Sequence, residues 1–93
     1  MLTIEFHSKF KRDRKKALAR GLDDKLLKKV VLMLANEEKL PAKYHDHELI
    51  NSRDYVNVRE CHIQPDWLLV YSVDKGNLVL VLMRTGSHSD LFR

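Results

Sequence analysis

Six apolar residues in succession, LVLVLM from Leu78 to Met83, limit what this chain can become. The run is far shorter than the roughly 20 residues needed to span a bilayer as a helix. Bounded by the turn-forming DKGN at 74–77, it reads as a strand covered on both faces and central in its sheet. Two strand patterns precede it. WLLVYSV, from Trp67, forms the other arm of a hairpin closed by DKGN. Before the QPD turn, YVNVRECHI (55–63) alternates, with Val56, Val58, Glu60 and His62 on one face and Tyr55, Asn57, Arg59, Cys61 and Ile63 on the other. Three consecutive strands with short connections predict an antiparallel meander.

Upstream the period changes. LTIEF at 2–6 is a short strand, and Ser8 can then cap a helix that has only a narrow apolar stripe, Phe10, Ala17 and Leu18, before Gly21. Asp23 or Asp24 caps a second helix, where Leu26, Leu27, Val30, Val31, Met33 and Leu34 recur at helical spacing. Asn36 and Pro41 end it, and KYHDHELINSRD follows as a polar connection rich in histidine. Past the last strand, Gly86 turns the chain, and Ser87 with Asp90 has the spacing of a capping box for one helical turn. Without repeats, linkers or low-complexity tracts, residues 1–93 predict one α+β domain, two helices on one face of a curved, mainly antiparallel sheet. The other face is left for a partner or substrate.

The charge is unevenly placed. Of a net +4, residues 9–20 (KFKRDRKKALAR) hold seven Lys or Arg against Asp13. Such a block attracts phosphate or an acidic partner, or is simply a solvated helix face. Cys61 has no cysteine partner, so it reads as a small buried residue in a reducing compartment. The N-terminus lacks the order of a signal peptide, and a cytoplasmic protein is expected.

The residues with chemistry to offer are His45, His47, His62, Asp66, Trp67, His88, Arg59 and Arg84, and most fall at strand ends or in connections, where they can share one rim. Imidazoles exchange protons near neutral pH. Several of them beside arginines suit phosphodiester cleavage, in which one group takes the ribose 2′-hydroxyl proton and another protonates the departing 5′-oxygen. Cations meanwhile stabilise charge on the phosphate. Trp67 and Phe92 either stack on a base or belong to the core.

DHEL, RECHIQPDWLLVY and RTGSHSDLF together resemble the YafQ-type toxins of the bacterial RelE/ParE superfamily, and the resemblance spans essentially the whole chain. It implies a βααβββ fold and a type II toxin that cleaves messenger RNA, in many members within the ribosomal A site. A DinJ/RelB-like antitoxin would silence it, and operator DNA would be met only through that complex. No cofactor, metal or membrane enters this scheme. Residue by residue, the resemblance carries over to His47, His62, Asp66, Trp67, His88 and Phe92. The expected roles are His88 as general acid, His47 and His62 as base or phosphate ligands, Asp66 as proton acceptor or imidazole orienter, and Phe92 as a stacking ring. Arg59 and Arg84 would contact phosphate, unless Arg59 packs against the sheet and Arg84 caps the terminal turn. Pro65 would turn Asp66 and Trp67 toward the rim beside His62. Lys15, Lys16 and Arg20 on the basic helix are candidate RNA or ribosome contacts.

One stretch departs from the pattern. Where family members often have glycines, LINSRDYVNV has asparagines, which leaves His45 as an alternative to His47. Competing readings are a ParE-like gyrase poison, a degenerate toxin that acts only through protein binding, and a metal-binding module built from His45, His47, His62 and Asp66.

Overall fold

The computed structural model describes residues 1–49 and 58–92. Its elements are β1 (Thr3–Phe6), α1 (Ser8–Ala19), α2 (Asp24–Ala35), a 3-10 turn (Ala42–Tyr44), β2 (His47–Glu48), β3 (Arg59–Gln64), β4 (Trp67–Asp74), β5 (Val79–Gly86) and α3 (His88–Leu91). The strands form one five-stranded sheet in the order β1-β5-β4-β3-β2. β1 runs parallel to β5, with Thr3 opposite Val79, whereas β2–β3, β3–β4 and β4–β5 are antiparallel. The two long helices cover one face, as the α+β reading predicts.

The strand at the centre is β4, not β5. Trp67 through Tyr71 are all buried, because β4 has a neighbour on each edge and side chains packed on both faces. β5 is internal, but its Val79, Val81 and Met83 are only partly covered. It also begins one residue later than the apolar run suggests. Leu78 takes φ 56°, is 58% exposed and closes the hairpin turn, where Asp74 accepts hydrogen bonds from the main chain and side chain of Asn77. β2 was not foreseen in the polar connection. Tyr55, Val56 and Asn57, expected at the start of the β3 strand, lie outside the described residues.

Local chemistry explains the helices. The α1 cap is His7 rather than Ser8, its Nδ1 accepting the Lys9 amide at 3.1 Å. Only Phe10 and Ala17 of α1 are buried, and Leu18 remains 38% exposed. The helix stops because Gly21 adopts φ 90°. Its amide then reaches the Leu18 carbonyl and that of Leu22 the Ala17 carbonyl, a closure that favours glycine. Asp23 caps α2 by accepting the Lys25 amide, and α2 buries Leu27, Val30, Val31, Leu34 and Ala35. Arg14 and Asp24 join the helices through bonds of 2.9 and 2.6 Å. No helix among the described residues is long and apolar enough to cross a membrane.

Two apolar clusters lie on opposite faces of the sheet. Phe10, Leu27, Val30 and Leu34 pack on Cys61, Ile63, Trp67, Leu69, Tyr71, Leu80 and Leu82. On the other face Val58, Leu68 and Val70 meet Leu91, flanked by Leu49, Met83 and Phe92. That second face is therefore partly closed by α3.

Candidate active site

The alternation of β3 places Cys61 and Ile63 under the helices and sends Glu60 and His62 to the opposite face with Val58. Pro65 and Asp66 form the turn to β4, and the pairing register shifts between His62 and Gln64. Such an irregularity re-aims nearby side chains. His62 is held from both sides: Nδ1 lies 3.2 Å from the Pro65 carbonyl and Nε2 3.4 Å from Glu60 Oε1.

A row of rings passes through His62. The His45 ring is 5.5 Å away, that of His88 6.1 Å away, and Phe92 lies 5.6 Å beyond His88. His47 stands beside the row, its Nε2 3.8 Å from the same Glu60 oxygen and its Nδ1 2.8 Å from the His45 carbonyl. His45 thus joins His47 at the site rather than replacing it. His45 takes the left-handed conformation at φ 47°, outside the strand that begins at His47. Among the described residues no group of three or more His, Cys, Asp or Glu is placed to hold an ion.

α3 is fastened firmly for a single turn. Ser87 and Asp90 form the capping box expected from their spacing, and Asp66 accepts the His88 amide at 3.3 Å. Gly86 has φ 153°, and a Cβ there would lie 3.1 Å from Asp90 Oδ2, so a larger residue would push the capping carboxylate away. Arg20 reaches Asp90 at 2.8 Å and, with the Ser87 bonds, holds its carboxyl well below the usual carboxylate range. α1 thereby steadies the turn that carries His88.

Several expectations need correction. Trp67 is not at the rim. It is 1% exposed, and its indole N–H donates to Thr85 Oγ1 at 2.9 Å, because the first residue after the turn falls on the helix-covered face. It is a core residue and cannot stack on a base in this arrangement. Arg59 also faces away from His62. It is paired across the strands with Tyr71 and binds Asp46 and Glu48. The alternation had already put Arg59 and His62 on opposite faces, so the phosphate role does not fit the geometry. Arg84 is bound through Nε and Nη2 to Asp13 at 2.6 and 3.2 Å. It nonetheless lines a cleft of about 370 Å³ together with Lys16, Arg20, Gln64, Asp66 and Ser87. Lys15 and Lys16 are exposed on α1.

Sequence reasoning passed over Glu60. This carboxylate is only 3% exposed and lies beneath two of the imidazoles. Its signal was available, since it shares the alternating face of Val58 and His62.

Comparison with known proteins gives the family. Residues 2–93 match a family model described as the bacterial toxin of a type II toxin-antitoxin system, YafQ. A protein of Escherichia coli named mRNA interferase toxin YafQ is 40% identical over 91 residues, 96% of this chain and 94% of its own. A metal-bound toxin from Helicobacter pylori superposes with a TM-score of 0.92 at 50% identity, covering 99% of this chain and 100% of the other. In the Escherichia coli DinJ-YafQ complex, the matching chain has a TM-score of 0.89 and 36% identity with both chains fully covered. The molecule is a toxin of the type II class. Within that class, the chain belongs to the YafQ family.

Proposed function

We propose that residues 1–93 act as a single toxin domain that cleaves messenger RNA in the bacterial cytoplasm, in association with translation, and that a DinJ-like antitoxin silences it. The observation that carries this reading is the continuous row of His45, His62, His88 and Phe92 rings with Asp66 against the start of α3. The names of the similar toxin and of the DinJ-bound complex support the substrate and the partner.

In this mechanism a base removes the ribose 2′-hydroxyl proton, the 2′-oxygen attacks phosphorus, and the bond to the 5′-oxygen breaks as an acid delivers a proton to it. His88 is the acid. It is exposed, and Asp66 and the capping box hold its backbone. His62 and His47 serve as base or phosphate ligands, and Asp66 also has oxygen capacity left to accept a proton. Phe92, next to His88, stacks on a base. Arg84, Lys16 and Arg20 line the adjoining cleft and, with Lys15, draw in the phosphate backbone.

Translation of a defined messenger in a cell-free system, with 5′ ends of fragments mapped, tests this reading. Cuts within translated codons that vanish with His88→Ala and Asp66→Ala are expected. An intact messenger with blocked gyrase supercoiling, assayed in parallel, would replace the reading with a ParE-like one. An intact messenger with active gyrase would indicate a toxin acting only through protein binding.

A further inference from the structure

We infer that Glu60 is the positioning residue of the imidazole row, turning the Nε2 side of His62 and His47 toward its carboxylate. The inference rests on the ribonuclease reading and divides the roles that reading leaves shared.

A carboxylate withdrawn from water is costly unless cations or donors meet it. Glu60 is 3% exposed, and the neighbouring guanidinium of Arg59 is engaged with Asp46 on the other face. Among the described residues, the side chains that approach Glu60 Oε1 are His62 Nε2 at 3.4 Å and His47 Nε2 at 3.8 Å. Each of these rings also turns Nδ1 toward a main-chain carbonyl, that of Pro65 for His62 and that of His45 for His47.

A carbonyl and a carboxylate only accept, so a ring nitrogen that faces either of them meets it best as an N–H donor. A bare Nε2 would set its lone pair against the Glu60 oxygen. Nε2 of each ring is therefore favoured as a donor, suited to the phosphate oxygens as charge builds in the transition state. Neither can take the 2′-hydroxyl proton while it faces Glu60, which moves that step to Asp66. The other titratable groups at the row are His45, His88 and Asp66 itself. Arg84 is held by Asp13.

The test is the Nδ1 and Nε2 signals of the imidazoles in nitrogen-15 spectra of the intact protein, read beside steady-state cleavage of an RNA. In Glu60→Gln the Nε2 signals of His62 and His47 should move toward those of an unprotonated nitrogen, while His7, at the far cap of α1, stays in place. Cleavage should lose about tenfold to a hundredfold in kcat, with KM within about twofold, as for a displaced transition-state contact. Glu60→Asp, which keeps the charge, should recover part of that loss. Should Glu60→Gln not fold, the aspartate variant carries the spectroscopic test, since its retracted carboxylate must still shift the same two signals. Unmoved Nε2 signals, or a loss confined to KM, would overturn the inference. The spectra decide it even where the wild-type protein cuts no RNA, an outcome that overturns the ribonuclease reading alone.

Discussion

The two faces of the sheet are lined by alternate residues of the same strands, yet they serve different ends. Under the helices Cys61, Trp67, Leu69 and Tyr71 lose nearly all contact with solvent, and their polar atoms are made inert. Burial pushes the Cys61 thiol up to about 12, and burial followed by the hydrogen bond to Asp46 pushes the Tyr71 hydroxyl up as well. On the other face Val58, Leu68, Val70 and Leu91 form a cluster small enough for one helical turn to close, and titratable side chains occupy the margin. Cys61 and Glu60 are adjacent in sequence and both buried, but only Glu60 faces imidazoles. The strand sorts volume to one side and proton chemistry to the other.

If that division is right, damage to each face should register in a different measurement. Trp67→Ala should produce the largest change, a loss of about 3–5 kcal/mol in urea unfolding from the cavity and the lost indole bond to the Thr85 hydroxyl, with RNA affinity of the folded fraction unchanged. A stable variant with weakened RNA binding would return Trp67 to the site. His88→Ala should reverse this pattern, lowering the cleavage rate by about a hundredfold to ten-thousandfold while the melting temperature holds. Leu91→Ala tests where the faces meet. It should cost about 2–3 kcal/mol and speed amide exchange in α3 before the helical core responds; equal acceleration in α2 would mean that the clusters are one unit.

Arg20→Ala should have the smallest effect, a loss present at neutral pH that vanishes in acid. Because the folded Asp90 carboxyl lies below its ordinary range, its stabilising contribution is complete above the usual carboxylate titration and disappears as pH falls through the depressed value. Without Arg20, which is the main cause of the depression, less of that contribution exists to be lost, and its loss should be complete at a higher pH in an acid titration followed by circular dichroism. Overlapping curves would mean that the Ser87 bonds alone maintain Asp90.

What the sequence disclosed follows from which interactions are local. The Asp23 cap, the apolar face of α2 and the Ser87–Asp90 box depend on residues a few positions apart and appear where expected, while the DKGN turn is displaced by one residue to take in Leu78. β2 did not, because two residues become a strand only through pairing with Arg59 and Glu60. The period-two rule by itself places Arg59 opposite His62, against its motif membership, whereas Trp67 goes under the helices through the register shift between His62 and Gln64, which no sequence spacing announces. His7 displaced Ser8 as cap because an imidazole nitrogen can accept an amide as a hydroxyl does. Glu60 was legible as a buried-face position but not as a partner, since His47 comes to it across a strand boundary.

The parallel pairing of β1 with β5 has a consequence for the order of events in the cell. Thr3 must wait for Val79, and a chain is synthesised from its N-terminus, so the first strand emerges with no partner while two helices and three other strands are made. Contacts this distant in sequence form late. His88 and Phe92 follow directly after β5, so the ring row closes at the same late moment. A nascent chain halted short of β5 would expose the apolar side of α2 and lack His88 and Phe92, so the ring row exists only once the segment after β5 has been translated.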